Sequence, residues 1–327
     1  IPTDGHREMI DSQGIKTIEV GVNIRGKGLL NKLQYAKKLK QILKEETFDI
    51  VHFYRLQPNI IGTFIAGSFT KSKIVNHITG LGVSFTDNSL KNNVFALLIK
   101  SSYQFNSFCF NPYTIYQNKQ DSYDLGIHKN TKCIEGSAVN ESKFCLANTL
   151  SKTTELKKLR EELGIKEGEN PKVFLFASRL LKEKGVLELI EGFKQALEET
   201  KATVKLLLVG WSDVENPSSV LPSEIEKLIK GYDSILFLGK RSDVDLLLCV
   251  SQISILPTYY REGTPRFLLE SMVMHNAIIT TKTPGCDHLV FGNNNGLLIK
   301  PRSIGAIKKA IIEILSKDLV KIGEKSN

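Results

Sequence analysis

Short apolar runs alternate with amphipathic stretches along most of the chain. Leu29, Leu33, Ala36, Leu39 and Leu43 recur at three-four spacing, which predicts a helix over Leu30–Glu46. The apolar runs Thr17–Val22, Asp49–Phe53 and Lys73–Ile78 predict strands. Pro58 opens a helix that runs to about Phe69, because a first-turn proline sacrifices no hydrogen bond. Residues 90–106 read as a helix, Phe108–Phe110 as a strand, 112–124 as a helix and Lys132–Ile134 as a strand. The alternation is cleaner afterwards. Strands are expected at Lys172–Ala177, Val204–Val209, Ile235–Leu238, Ile253–Pro257, Ala277–Thr281 and Gly296–Ile299. Helices are expected between and after them at Val186–Glu198, Glu224–Lys230, Val244–Val250, Pro265–Met274, Asp287–Val290 and Ile304–Ser316.

Strands separated by helices of this length predict parallel sheets. A Lys/Glu-rich stretch interrupts the pattern, with one helix expected at Glu155–Leu163 and a loop at Gly168-Glu169-Asn170-Pro171. The reading is therefore an α/β chain with an N-terminal Rossmann-like domain over 1–147, a linker over 148–171 and a C-terminal domain over 172–327. A length of 327 residues fits two domains of ~150 residues. In doubly wound sheets, ligands bind beyond the carboxyl ends of the strands, here in a cleft between the domains.

Composition narrows the partners. Hydrophobic residues make up 41% and charged residues 24%, as in a globular chain and unlike a disordered one. The five cysteines show no paired spacing for a disulfide framework or a zinc site, which fits a reducing, cytoplasmic compartment. No apolar run reaches the ~20 residues of a membrane span. The net charge is +9, and most of the excess lies in residues 1–150, with 18 Lys and Arg against 12 Asp and Glu. That bias suits phosphorylated substrates and an anionic membrane surface. Nucleic acid is not expected, since no arginine cluster or aromatic repeat is present.

Five loops carry candidate chemistry. In Tyr260-Arg261-Glu262-Gly263-Thr264-Pro265-Arg266-Phe267-Leu268-Leu269-Glu270, two carboxylates flank a strand-to-helix turn. Gly263 allows close approach of a ligand, Thr264 is a candidate helix cap and Pro265 a first helical residue. The turn amides suit a phosphate. Glu270 sits in an apolar run and needs a partner. Arg179 ends a strand and Lys184 precedes a helix at Gly185, which together form a candidate diphosphate clamp. Gly210 and Gly239 each close a strand, followed by Trp211-Ser212-Asp213 and Lys240-Arg241-Ser242-Asp243, and these loops suit a base and ribose. Asp243-Val244-Asp245 has a metal-binding form, but acids are also favoured in a first helical turn, and no metal site is assigned. His77 is a candidate substrate contact; a lone histidine is more often structural.

Together these motifs resemble the retaining, nucleotide-sugar-dependent glycosyltransferases of the GT-B fold, family four. The marks are Glu262 and Glu270 at their spacing, Arg179 with Lys184-Gly185, Thr283-Pro284-Gly285 and Asn295-Gly296-Leu297-Leu298. Gly210-Trp211-Ser212-Asp213-Val214-Glu215-Asn216-Pro217 and Tyr259 to Arg266 are similar to a branch adding N-acetylhexosamines, N-acetylgalactosamine among them, to polyprenyl-diphosphate-linked sugars in bacteria. The resemblance implies that Arg179 and Lys184 hold the donor diphosphate. Glu262 would hold the sugar hydroxyls and Glu270 the ribose. Gly263, Thr264 and Pro265 would meet sugar and phosphate, and Gly239 and Arg241 would border the base. It also implies a UDP-sugar donor, a lipid-linked or glycan acceptor, no cofactor or metal, and a cytoplasmic enzyme peripheral to the inner membrane face. By the same resemblance the first domain begins after the family's first strand and glycine-rich loop, and the family's histidine position falls on Thr79. An epimerase of the same fold and a non-catalytic sugar-binding protein are the alternatives.

Overall fold

The computed structural model describes residues 7–20, 28–86, 89–136, 138–213, 216–292 and 294–325. Gly21 and Val22 of the first expected strand, and Ser137, Val214 and Glu215 of the loops, lie outside these residues; Thr17–Val20 form no strand. The chain divides into two compact units. One runs to Leu81 and resumes over Ser89–Ile134; the other holds Gly82–Thr86 and the residues from Glu135 onward.

The first unit opens with α1 (Arg7–Asp11) and α2 (Leu29–Glu45), then β1 (Ile50–Tyr54). A π-helical turn at Pro58–Gly62 leads into α3 (Thr63–Phe69) and β2 (Lys73–Ile78). Next come α4 (Leu90–Phe110), β3 (Tyr113–Tyr116), α5 (Lys119–Leu125) and β4 (Thr131–Cys133). Among the described residues the four strands form a parallel sheet in the order β1-β2-β3-β4. Among the described residues β1 is an edge strand, with only Phe53 buried.

Phe108–Phe110 is not a strand but the last turn of α4. Asn111 then enters the left-handed region at φ 47° and its amide closes on the Ser107 carbonyl, stopping the helix before Pro112. The strand therefore falls at Tyr113–Tyr116, where the pattern suggests helix, and α5 starts only after Asn118 caps it through the Asp121 amide.

The second unit contains α6 (Leu146–Leu150), α7 (Thr153–Glu162), β5 (Lys172–Ala177), α8 (Val186–Glu199) and β6 (Val204–Val209). It continues with α9 (Pro222–Ile229), β7 (Ile235–Gly239), α10 (Val244–Val250), β8 (Ile253–Leu256) and α11 (Arg266–Val273). The last elements are β9 (Ala277–Thr281), β10 (Gly296–Ile299), α12 (Ile304–Leu315) and α13 (Leu319–Glu324), the last outside the expected pattern. The six strands are parallel in the order β10-β9-β8-β5-β6-β7, so the direction of winding reverses between β5 and β8. Continuous apolar runs such as Phe174-Leu175-Phe176 and Leu206-Leu207-Leu208 are fully buried, because helices cover both faces of such a sheet. The stretch expected as a linker contributes to this core through Leu159, Leu163 and Ile165. Such an order puts a ligand site at the reversal, beyond the ends of β5 and β8.

Candidate active site

The site is built on the loops leaving those two strands. After β5 the chain passes Arg179 and makes a 3-10 turn at Lys182–Lys184 before α8. After β8 it runs from Pro257 through Glu262 to Pro265, which precedes α11. Three buried threonines fix this second loop. Thr258 Oγ1 donates to the Glu183 carbonyl at 3.1 Å and lies 3.4 Å from Glu262 Oε1. The Tyr260 amide donates to Thr258 Oγ1 at 3.1 Å, and Thr281 Oγ1 donates to the Thr258 carbonyl with Thr283 Oγ1 2.7 Å away. The Tyr259 amide also reaches the Glu183 carbonyl, at 2.9 Å. The two loops are thereby stitched together across 75 positions of sequence.

The stitching brings the Lys184 ammonium onto the Glu262 carboxylate. Their side chains are only 10% and 13% exposed, so each charge depends on the other in a poorly solvated place. The ammonium also lies 5.4 Å from the Tyr260 ring centre. Gly185, at φ 76°, lets this turn press against β8: a Cβ there would lie 2.3 Å from the Pro257 carbonyl oxygen.

A second group of sequence candidates lines a cavity of 240 Å³: Arg179, Gly210, Arg241 and Glu270, together with Trp211 and Lys240. Arg179 is half-buried and has no ion-pair partner among the described residues. Lys240 stands 5.7 Å from the Trp211 ring centre. Arg241 lines the cavity, but its guanidinium is already committed. It grips Asp243 through Nε at 2.8 Å and Nη2 at 2.7 Å, and Glu162 through Nη1 at 2.5 Å. These hydrogen bonds, Asp243 first, hold Arg241 more firmly protonated and lower the Asp243 pKa. Asp245 is buried and paired with Lys152 at 2.8 Å, so each acid of Asp243-Val244-Asp245 faces a cation. Gly239 closes β7 beside Lys240 without lining the cavity itself.

Gly263, Thr264 and Pro265 link the two groups. Thr264 does not cap α11; Pro265 occupies the cap position and helix begins at Arg266, because Pro265 has an extended ψ of 117°. The Thr264 hydroxyl is buried and has no partner among the described residues, leaving a hydrogen-bonding group at the loop unused. His77 belongs to the first unit, stacked 5.7 Å from His52 and 4.9 Å from Tyr54. Both its ring nitrogens are buried without partners among the described residues, and burial followed by the neighbouring His52 lowers its pKa.

Glu270 is the electrostatic outlier. Burial pushes its pKa from 4.5 to about 7, a shift only partly opposed by Arg266 and Lys143. Its charged form is thus penalised by folding. The penalty is absent below pH 4.5, grows as pH rises and is complete above about 7. Allowing for partial solvent screening, it amounts to about 1–2 kcal/mol. Glu270→Gln is therefore expected to raise the thermal midpoint by ~2–5 °C at pH 8 and leave it unchanged at pH 4.5. Equal midpoints at pH 8 would count against a strained carboxylate.

Two Rossmann-like units, with cations and acids gathered at the winding reversal of the second, define a GT-B glycosyltransferase. The family model "Glycosyl transferases group 1" matches residues 156–326 and "Glycosyl transferase 4-like" matches 1–110; the chain belongs to the glycosyl transferases group 1 family. It is 27% identical to the N,N'-diacetylbacillosaminyl-diphospho-undecaprenol alpha-1,3-N-acetylgalactosaminyltransferase of Campylobacter jejuni, over 100% of this chain and 84% of that one. Identity is 24% with the UDP-Gal:alpha-D-GlcNAc-diphosphoundecaprenol alpha-1,3-galactosyltransferase of Escherichia coli, covering 92% of this chain and 75% of that protein. Among solved structures, a glycosyltransferase from Rickettsia africae superposes with TM-score 0.74 and 25% identity, covering 98% of this chain and 81% of the other. Anabaena HepE in complex with UDP superposes with TM-score 0.75 and 18% identity, over 98% and 83% of the two chains, a likeness of fold.

Proposed function

We propose that this glycosyltransferase moves a hexosyl or N-acetylhexosaminyl group from a UDP-sugar to a lipid-linked or glycan acceptor, with retention of anomeric configuration, in the synthesis of bacterial surface polysaccharide or glycoconjugate. The single observation that carries this reading is the Lys184–Glu262 pair at the ends of the central strands, on the same loop system as the Arg179–Glu270 cavity. The donor and acceptor classes named for the Campylobacter and Escherichia relatives support it.

In this reading the uracil rests in the cavity against Trp211 and the Glu270 carboxylate accepts the ribose hydroxyls. Arg179 and Lys184 neutralise the diphosphate, assisted by the amides at Gly263 and Thr264. The Glu262 carboxylate accepts hydrogen bonds from the sugar hydroxyls, and the unused Thr264 hydroxyl gains a partner in the donor. The acceptor oxygen forms its bond to the anomeric carbon on the face from which the diphosphate departs. The bond between that carbon and the phosphate oxygen breaks, its electron pair stays with the diphosphate, and the acceptor proton passes to a phosphate oxygen. Negative charge grows on the diphosphate in the transition state, so cations and amides already in place act where the barrier is highest. The Arg179 and Lys184 side chains supply the compensating positive charge, and turnover is expected to be insensitive to chelators. His77 is kept as a candidate acceptor-side contact.

A donor panel read by nucleotide release tests the proposal. Release should require a UDP-sugar together with a lipid-linked or glycan acceptor, for which a polyprenyl-diphosphate-linked N-acetylhexosamine is the first probe, and proton spectra of the product should show the donor's anomeric configuration. Sugar interconversion without an acceptor would indicate the epimerase, and tight binding without turnover a binding protein.

A further inference from the structure

Three loops leave the neighbouring strands β8, β5 and β6, and each carries one part of the proposed donor site. The loop after β6 holds Trp211, the loop after β5 holds Lys184 and the loop after β8 holds Glu262. The β5 loop is therefore the middle one, and Glu183, immediately before Lys184, is hydrogen-bonded to both of its neighbours. Its carbonyl oxygen accepts from the Thr258 hydroxyl at 3.1 Å and from the Tyr259 and Tyr260 amides at 2.9 and 3.2 Å. Its carboxylate accepts from the Ser218 hydroxyl at 2.6 Å, 35 positions away. The carboxylate forms no ion pair among the described residues, so Ser218 rather than a cation decides where it lies.

Ser218 is itself held in place. Its amide donates to Asn216 Oδ1 at 3.0 Å, and the Asp213 amide donates to the neighbouring Ser219 hydroxyl at 3.0 Å. The Lys182 amide reaches the Ser218 carbonyl at 2.9 Å, the Val220 amide the Leu180 carbonyl at 2.8 Å and the Leu180 amide the Trp211 carbonyl at 2.9 Å. Bonded groups thus run from Trp211 on the cavity wall, through Ser218 and Glu183, to Thr258, which lies 3.4 Å from Glu262 Oε1. We propose that Glu183 is a positioning residue, which through Ser218 holds the loop bearing Trp211 in register with the Lys184–Glu262 pair. The inference rests on the donor reading above and names a residue that acts without touching the donor. A nucleoside diphosphate spans from the uracil wall to the Lys184 cation, so it binds well only if both loops are fixed beforehand. A nucleoside monophosphate lacks the second phosphate and depends less on that register.

The test is calorimetric titration of the full chain with UDP and with UMP, followed in parallel by the fluorescence of Trp211, the only tryptophan of the sequence. Glu183→Ala and Ser218→Ala should each weaken UDP about 10-fold and UMP by less than ~3-fold. Neither change touches the Glu183 carbonyl and its bonds to the Thr258 loop, so thermal midpoints should stay within ~4 °C of the parent. The double variant should bind UDP no more weakly than the weaker single variant, because both changes remove one bond. Glu183→Gln keeps an acceptor oxygen for the Ser218 hydroxyl and should bind UDP within ~3-fold of the parent. Unchanged UDP affinity in the alanine variants, equal losses for UDP and UMP, losses that multiply in the double variant, or a glutamine variant as weak as alanine each overturn the proposal and leave the donor reading standing. A parent that binds no UDP overturns the donor reading, and this inference with it.

Discussion

Lys184→Met is expected to lower sugar transfer by about two to three orders of magnitude, and to destabilise the second unit by about 3–5 kcal/mol. The two losses have different origins and can be separated. Instability arises because the largely buried Glu262 carboxylate loses the cation beside it. Adding Glu262→Gln removes that carboxylate, so the double variant should recover most of the stability of the parent in denaturant unfolding. It should not recover transfer, because neither the proposed diphosphate cation nor the proposed sugar-binding carboxylate is restored. A double variant with native turnover would remove both residues from the mechanism. Lys184→Arg preserves charge but brings a planar fork to a site that accommodates a compact ammonium, so it is expected to rescue stability only in part.

Gly285→Ala should have the next largest effect, through the backbone alone. Gly285 follows β9 at φ 88°, and a Cβ there would lie 2.4 Å from the Glu262 carbonyl oxygen and 2.5 Å from that of Gly263. Neither oxygen can yield without moving the loop that carries the proposed sugar and phosphate contacts. A loss of ~2–4 kcal/mol and a fall in transfer of about 100-fold are expected. Gly231 supplies the control. It has nearly the same φ, 86°, but nothing within 4 Å of its would-be Cβ. Gly231→Ala should cost only the left-handed strain of ~1 kcal/mol and leave transfer intact. Equal effects at the two glycines in urea melts and transfer assays would show that the close approach at Gly285 has no special role.

Where the chain is buried on both sides of a sheet, its pattern is easy to read. Phe174-Leu175-Phe176, Leu206-Leu207-Leu208 and Ala277-Ile278-Ile279 are apolar runs, and helices with one apolar stripe separate them. The same logic fails between Phe108 and Leu125. Phe108 is exposed while Phe110 packs on the core of the first unit, so an apolar Phe108-Cys109-Phe110 reads as a strand although it is helical, and only the left-handed turn at Asn111 locates the true boundary.

The chain's own order of residues determined the alternating α/β architecture and the identity of the acids and cations at the loops, because periodicity and turn chemistry are local properties. The tertiary structure decided how those groups are employed. Arg241 stands where a base-binding residue is expected, yet Glu162, 79 positions away, shares its guanidinium with Asp243. Thr258 carries no motif signal, yet it joins the Glu183 carbonyl to the Glu262 loop. Lys184 and Glu262 are 78 positions apart and meet because the sheet reverses its winding between β5 and β8. Such partnerships depend on which strands become neighbours, and strand neighbours are chosen by the packing of the whole unit.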